Sequence, residues 1–334
     1  MSTPASTTVG AGGVSQGAAV GVGGALRRLS SAGLLLFLIL IMAGFTIASP
    51  FFLSVNNFLN ILSSVALIGT VATGMTMVIV GGGLDLSVGS IMALAGSVEA
   101  VLVVHQGAPW WLALLAALGV AIAVGVVNAT VISYLRINSI ITTLAMMQIV
   151  RGAAFIFTTG NSTYVSNAPL EWFGSGRIVG VPVPAILMLA SFVGVWLVMK
   201  YTVFGRYVYA IGGNPVASRL AGINVNRYVN VVFVFSAAMA GLAGVMLVGL
   251  AGVSTPASAT GYELDVITAV LLGGTSLVGG EGTVWGTLVG VLIIGVINNG
   301  MTLLSVPPYW QIAAKGTLLL MAVALDVLRK RKAV

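Results

Sequence analysis

The sequence predicts an all-α polytopic membrane protein of about ten transmembrane helices. Three observations carry that prediction. Of the 334 residues, 58% are hydrophobic and only 6% are charged, whereas roughly a quarter of a soluble domain is charged. Apolar runs recur that are long enough to cross a hydrocarbon core of ~30 Å at ~1.5 Å per residue. The 14 Lys and Arg residues behind the net charge of +7 are spread over the links between those runs. They form no patch with interleaved aromatics, so nucleic acid is not a partner. The absence of cysteine removes disulfides and thiolate chemistry, and the single His105 beside a link reads as an interfacial residue. No metal site is expected.

Taken in order, residues 1–25 are Gly, Ala, Ser, Thr and Val with no charge and no usable period. They cannot bury enough surface to order themselves. A disordered cytoplasmic tail is therefore expected over 1–28, followed by a transmembrane domain over 29–334. Arg27 and Arg28 ahead of an apolar run invite a signal-peptide reading, but the run continues over 33–53 and is long enough to stay as a first helix. Further spans are expected at 61–80, 88–104, 110–133, 138–157, 181–199, 229–252, 262–277, 283–304 and 309–327. The second to fifth follow so closely that one of them is a candidate re-entrant segment.

Charge sets the orientation. With ten spans and a cytoplasmic N-terminus, Arg27, Arg28, Arg136, Lys200, Arg206, Arg219, Arg227, Arg329, Lys330, Arg331 and Lys332 all fall inside. Arg177 alone falls outside, and Arg151 and Lys315 lie within spans. Both termini are then cytoplasmic.

The longest charged interruption is the loop 200–228, KYTVFGRYVYAIGGNPVASRLAGINVNRY. It contains a short helix with both ends marked. Asn214 is placed to cap the N-terminus, Pro215 fits the first helical position, and Gly222 supplies a left-handed residue just past the end. About two turns of helix are not stable alone, so a partner surface is expected to hold them. The alternative is an ordinary solvated loop.

Two glycine-rich hairpins are predicted at the same side: GGGLDLSVGS at 81–90 and LGGTSLVGGEGTVWG at 272–286. Their shared layout of apolar run, Gly-Gly, polar turn, carboxylate and helix start suggests an internal duplication. A competing alignment pairs QIVRG at 148–152 with QIAAKG at 311–316.

GGNPVASRLAGINV, the two hairpins, ITTLAMMQIVRG at 141–152 and the run 262–300 together resemble the membrane permeases of bacterial ABC importers for monosaccharides, the ribose-permease type. The resemblance covers the chain from about residue 50 to its end. It implies a bacterial inner-membrane, multi-pass location. It also implies that Asn214, Pro215, Ala217, Arg219, Leu220, Gly222 and Ile223 couple the chain to a cytoplasmic ABC ATPase. The partners it implies are two ATPase subunits, a periplasmic sugar-binding protein that supplies the affinity, and a second permease subunit, like or related, with the path at the interface. No cofactor is bound by this chain on that reading; ATP and Mg sit on the ATPase. Consistently, no phosphate loop, H-E-x-x-H or G-x-S-x-G is present, so no enzymatic activity is expected.

Intramembrane charge costs at least ~2.5–3.5 kcal/mol on insertion scales, so Arg151 and Lys315 should face the bundle interior. One reading places them on a polar translocation path with Asn128, Thr142, Thr143, Gln148, Asn298, Asn299 and Gln311. The other has each snorkel to an interface or pair with Glu99, Glu263 or Asp265 to fix packing. Asp85 and Ser87 in the first hairpin and Glu281 in the second read as helix caps or as gating residues. Met75, Met77, Met146 and Met147 read as packing. The competing functions are a stand-alone secondary transporter or channel for a small neutral solute, and an ABC permease for a non-sugar solute such as branched-chain amino acids.

Overall fold

The computed structural model describes residues 17–331, which are mostly helical. Helix α1 (Gly17–Ala48) leads through a short turn into α2 (Val55–Val80), whose start is fixed by Ser54 accepting from the Asn57 amide. Then come α3 (Val88–Val104), α4 (Trp110–Ser133) and α5 (Ser139–Phe157), the last capped by Asn138. A small cap follows: β1 (Thr163–Tyr164), α6 (Ala168–Ser175), β2 (Arg177–Ile178) and β3 (Val181–Pro182). After α7 (Val183–Tyr201) lie two shorter helices, α8 (Val203–Gly213) and α9 (Pro215–Leu220). The chain ends with α10 (Val225–Ala251), β4 (Val253–Ser254), α11 (Tyr262–Leu272), α12 (Val284–Leu303) and α13 (Pro308–Arg331). β1 pairs antiparallel with β4 and β2 with β3.

Among the described residues, α2, α4, α5, α7, α10 and α12 are long and apolar enough to cross a membrane. Helix α2 is buried nearly all round and packs against α7, α10, α11 and α12, while α10 packs against α2, α3, α4 and α6. These two helices are the centre of the bundle. Helices α4, α5 and α7 keep apolar side chains such as Leu115, Ile149 and Leu189 on the outside, as a lipid-facing surface requires.

The helices depart from the expected spans at three places. The loop expected over 200–228 is mostly helix, because α8 is a separate element anchored by Thr202 accepting from the Gly205 amide and α10 starts already at Val225. The span expected over 262–277 is only the 11 residues of α11, stopped by the Gly273–Gly274 turn. At ~1.5 Å per residue it covers about 16 Å, half a hydrocarbon core. Helix α11 is therefore an interrupted crossing, and among the second to fifth spans α3 is also short, with 17 residues after the irregular stretch 81–87. Finally, α1 begins at Gly17, so the boundary expected at residue 28 is no break in the backbone; residues 1–16 of the expected tail lie outside the described part.

Candidate functional site

Helix α9 is built by local chemistry. Asn214 Oδ1 accepts from the amides of Val216 and Ala217 at 3.0 and 2.9 Å, and Pro215 occupies the first turn. At the other end the Gly222 amide donates to Arg219 O and the Ile223 amide to Ser218 O, with Gly222 at φ +83°. That paired closure satisfies the last carbonyls and needs a residue at ease with positive φ. Ser218 is buried, but Val216 is 63% and Leu220 86% exposed. Four residues apart on a helix, these two apolar side chains share one face and point away from the protein.

Helix α8 fastens α9 to the bundle. Its outer residues include Arg206, and Phe204 and Tyr207 pack their rings on Tyr228 at the start of α10, at 5.4 and 5.3 Å. Its last turn enters a knot of backbone. A Cβ on Gly212 would collide with the Val80 carbonyl oxygen, the Gly280 amide donates to that same oxygen at 2.8 Å, and Tyr209 Oη donates to Gly282 O at 2.9 Å. The turns 81–87 and 273–283 thus meet each other and the end of α8. Asp326 of α13 joins the same end by accepting from Ser276 Oγ and the Leu277 amide at 3.4 and 3.3 Å. A groove of about 230 Å³ opens beside it, between Gly82, Asn138, Ser139, Val208 and Phe233.

The first turn is tied from three sides. Asp85, fully buried, accepts from the Ser87 amide and hydroxyl at 3.0 and 2.6 Å and from Ser236 Oγ of α10 at 3.3 Å. Asn128 Nδ2 of α4 donates to Ser87 Oγ at 2.9 Å. Thr143 of α5 donates to Leu84 O and accepts from the Leu86 amide at 3.2 and 3.0 Å. Neither Asp85 nor Ser87 caps α3 by bonding an amide inside that helix; Asp85 holds the amide of the residue before it. Glu281 is exposed and caps nothing, since Thr283 Oγ1 accepts from the Gly286 amide at the start of α12.

The two basic residues within the spans are both partnered, whereas Glu99, fully buried in α3, meets neither of them. Lys315 Nζ binds Asp265 Oδ2 at 2.6 Å, the lysine side chain 33% exposed and the aspartate 4%. Arg151 binds no carboxylate: Nη1 donates to the carbonyl oxygens of Pro256 and Ser258 at 2.9 and 2.6 Å. Of the other path candidates, Asn128, Thr142 and Thr143 are buried between helices. Asn299 exchanges hydrogen bonds with Asn57 at 2.9 and 3.0 Å, and Gln311 donates to Val306 O at 2.9 Å. Asn298 is partly buried on α12, and Gln148 is exposed on α5. Asn298 and Lys315 meet at Asp265, Asn128 and Thr143 sit at the first turn, and Arg151 sits at 256–258. Among the described residues no group of three or more His, Asp and Glu is placed to hold a metal.

Sequence reasoning missed Gly212, Gly280 and Tyr209. Gly212 sits in a Gly-Gly pair directly before Asn214, a signal legible as helix end but not as a contact with another turn.

Residues 57–323 match the family described as branched-chain amino acid transport system / permease component. The chain is 42% identical over 297 residues to the ribose import permease protein RbsC of Escherichia coli (strain K12), an alignment covering 87% of this chain and 92% of the relative. It is 41% identical over 300 residues to the ribose import permease protein RbsC of Bacillus subtilis (strain 168), covering 89% and 92%. It is 39% identical over 316 residues to the L-arabinose ABC transporter permease protein AraH of Azospirillum brasilense, covering 93% and 91%. No solved structure matches the chain.

Proposed function

Because this chain belongs to the branched-chain amino acid transport system / permease component family, we propose that it is the membrane permease of an ATP-driven importer whose solute is a monosaccharide, ribose or a related sugar. The relatives named for ribose and L-arabinose favour a sugar over a branched-chain amino acid. The chain is a transport subunit, and ATP with its Mg belongs to separate ATPase subunits.

The observation that carries the mechanism is the capped helix α9 with Val216 and Leu220 facing outward. An apolar pair presented on a capped helix at a polar end of the bundle suits burial against another protein. Arg136, Lys200, Arg206, Arg219 and Arg227 belong to the same end of the bundle as α9, and that bias supports a cytoplasmic position for α9 and for both termini. ATPase closure then pulls on Asn214, Pro215, Ala217, Arg219, Leu220, Gly222 and Ile223. Helix α8 passes the displacement to the knot at Gly212, Val80 and Gly280, and so to α2, α11 and α12. A binding protein on the opposite end, over loops that include 158–180, delivers the sugar. Ten crossings are counted when α11 and the segment before it are taken together as one. The path lies between this subunit and a second like or related one, and Gln148, Arg151 and Lys315 are its candidate residues on this chain.

Uptake of labelled ribose into proteoliposomes tests the proposal. Transport that requires the ATPase subunits, ATP and a sugar-loaded binding protein is expected. Uptake by the permease alone would replace it with a stand-alone transporter or channel.

A further inference from the structure

The stretch 255–261 is irregular backbone at membrane depth. It leaves β4, which is held at the outer end by pairing with β1, where Thr163 also meets His105 at the end of α3. It then runs inward until the Ala259 carbonyl and the Glu263 carboxylate lie so close to Gly89 that a Cβ there would collide with both. Gly89 is the second residue of α3, about 22 Å from that helix's last residue at ~1.5 Å per residue. The segment therefore descends well into a core of ~30 Å before α11 begins.

Its own bonds hold its shape. Thr260 Oγ1 donates to Ala257 O at 2.7 Å, Thr255 and Ser258 hydroxyls lie 2.9 Å apart, and the Gly261 amide donates to Glu263 Oε1 at 3.2 Å. Arg151 closes the set from α5 by taking two carbonyls with one nitrogen. Yet Ala257 and Thr260 are exposed. Helix-free backbone cannot face hydrocarbon, where each unpaired peptide group costs several kcal/mol; it persists only when covered by protein or when it lines water.

We propose that 255–261 lines the aqueous passage for the solute, with Thr260 and the neighbouring peptide groups turned towards it, and that Arg151 is the positioning residue that holds this broken crossing open. The exposed groups of the segment are a hydroxyl, a methyl and peptide dipoles, with no exposed charge, which suits a neutral polyhydroxylated solute. The assignment rests on the sugar-permease reading only for the identity of that solute.

The chain contains no cysteine, so single thiols report on it directly. Thr260→Cys and Ala257→Cys are compared with Leu115→Cys on the lipid face of α4, in the assembled permease in proteoliposomes, using a charged membrane-impermeant methanethiosulfonate. Thiolate forms in water and not in lipid, so labelling at least about tenfold faster at 257 and 260 than at 115 is expected. Reaction only with an apolar maleimide, or with neither reagent, overturns the passage. Arg151→Gln should lower the labelling rate of Thr260→Cys and raise the KM for uptake by about tenfold, since two charge-assisted bonds are lost. Arg151→Lys, which keeps one donor site, should recover part of both; it also serves as the readout if Arg151→Gln does not accumulate. Unchanged labelling and KM in both variants overturn the positioning role. The labelling needs neither ATPase nor sugar, so it stands or falls independently of which solute is carried.

Discussion

The Gly280 amide donates a 2.8 Å hydrogen bond to the carbonyl oxygen of Val80, the last residue of α2, and the backbone of Gly212 packs against the same oxygen. Three segments far apart in sequence are locked at one atom. No side chain fits between them, and even a methyl on Gly212 would collide with that oxygen.

Gly212→Ala tests that lock. The added methyl meets the Val80 oxygen and the Gly280 amide, and overpacking of a close contact costs about 1–3 kcal/mol. The variant should insert and bind its ATPase, because α9 is untouched, but should hydrolyse ATP without matching uptake. Gly213→Ala next to it, where a Cβ meets nothing within 4 Å, should behave as the parent. Equal behaviour of the two in a coupled hydrolysis and uptake assay would remove the knot from the transmission path.

Gly222 tests the end of α9 separately. A Cβ there touches nothing within 4 Å, so only φ +83° matters. Left-handed backbone costs an L-residue roughly 1–2 kcal/mol, more when it is β-branched and less for asparagine. Gly222→Val should lower ATP-coupled uptake with membrane insertion intact, and Gly222→Asn should retain most of it. Loss of uptake in both to the same extent would point to space rather than conformation.

Local signals made α9 legible: Asn-Pro ahead and Gly behind are read within nine residues of sequence. The long spans were legible because lipid demands a continuous apolar run. The break before α11 was less so, although Thr255, Pro256 and Gly261 mark it, because the stretch after it resembles the start of a full span. What Arg151 binds was not legible. Its partners are main-chain carbonyls more than 100 residues away, and a carbonyl leaves no trace in composition. Lys315 differed, since acidic candidates were few and Asp265 was one of three named from the sequence.

Leu220→Asp asks what covers α9. With the side chain 86% exposed and no neighbour to lose, stability of the isolated permease should stay within about 0.5 kcal/mol. Truncation or charging of a central apolar contact at an interface costs about 2 kcal/mol or more. The ATPase should therefore co-purify at least about tenfold less well. An undiminished complex would mean that the apolar face of α9 is not where the ATPase sits.

The Lys315–Asp265 pair separates packing from passage. Asp265 is 4% exposed and the lysine 33%, so the two single removals are unequal. Lys315→Met strands a buried carboxylate and should cost about 3 kcal/mol. Asp265→Asn leaves an ammonium that can reach water and should cost about 1 kcal/mol. The double variant should regain most of the stability in detergent melting, because nothing charged is left without a partner. If it also regains ATP-dependent uptake, the pair is a strut between α11 and α13. Stability regained without uptake would mean that the solute itself meets the charge, since only then does restored packing fail to restore the passage.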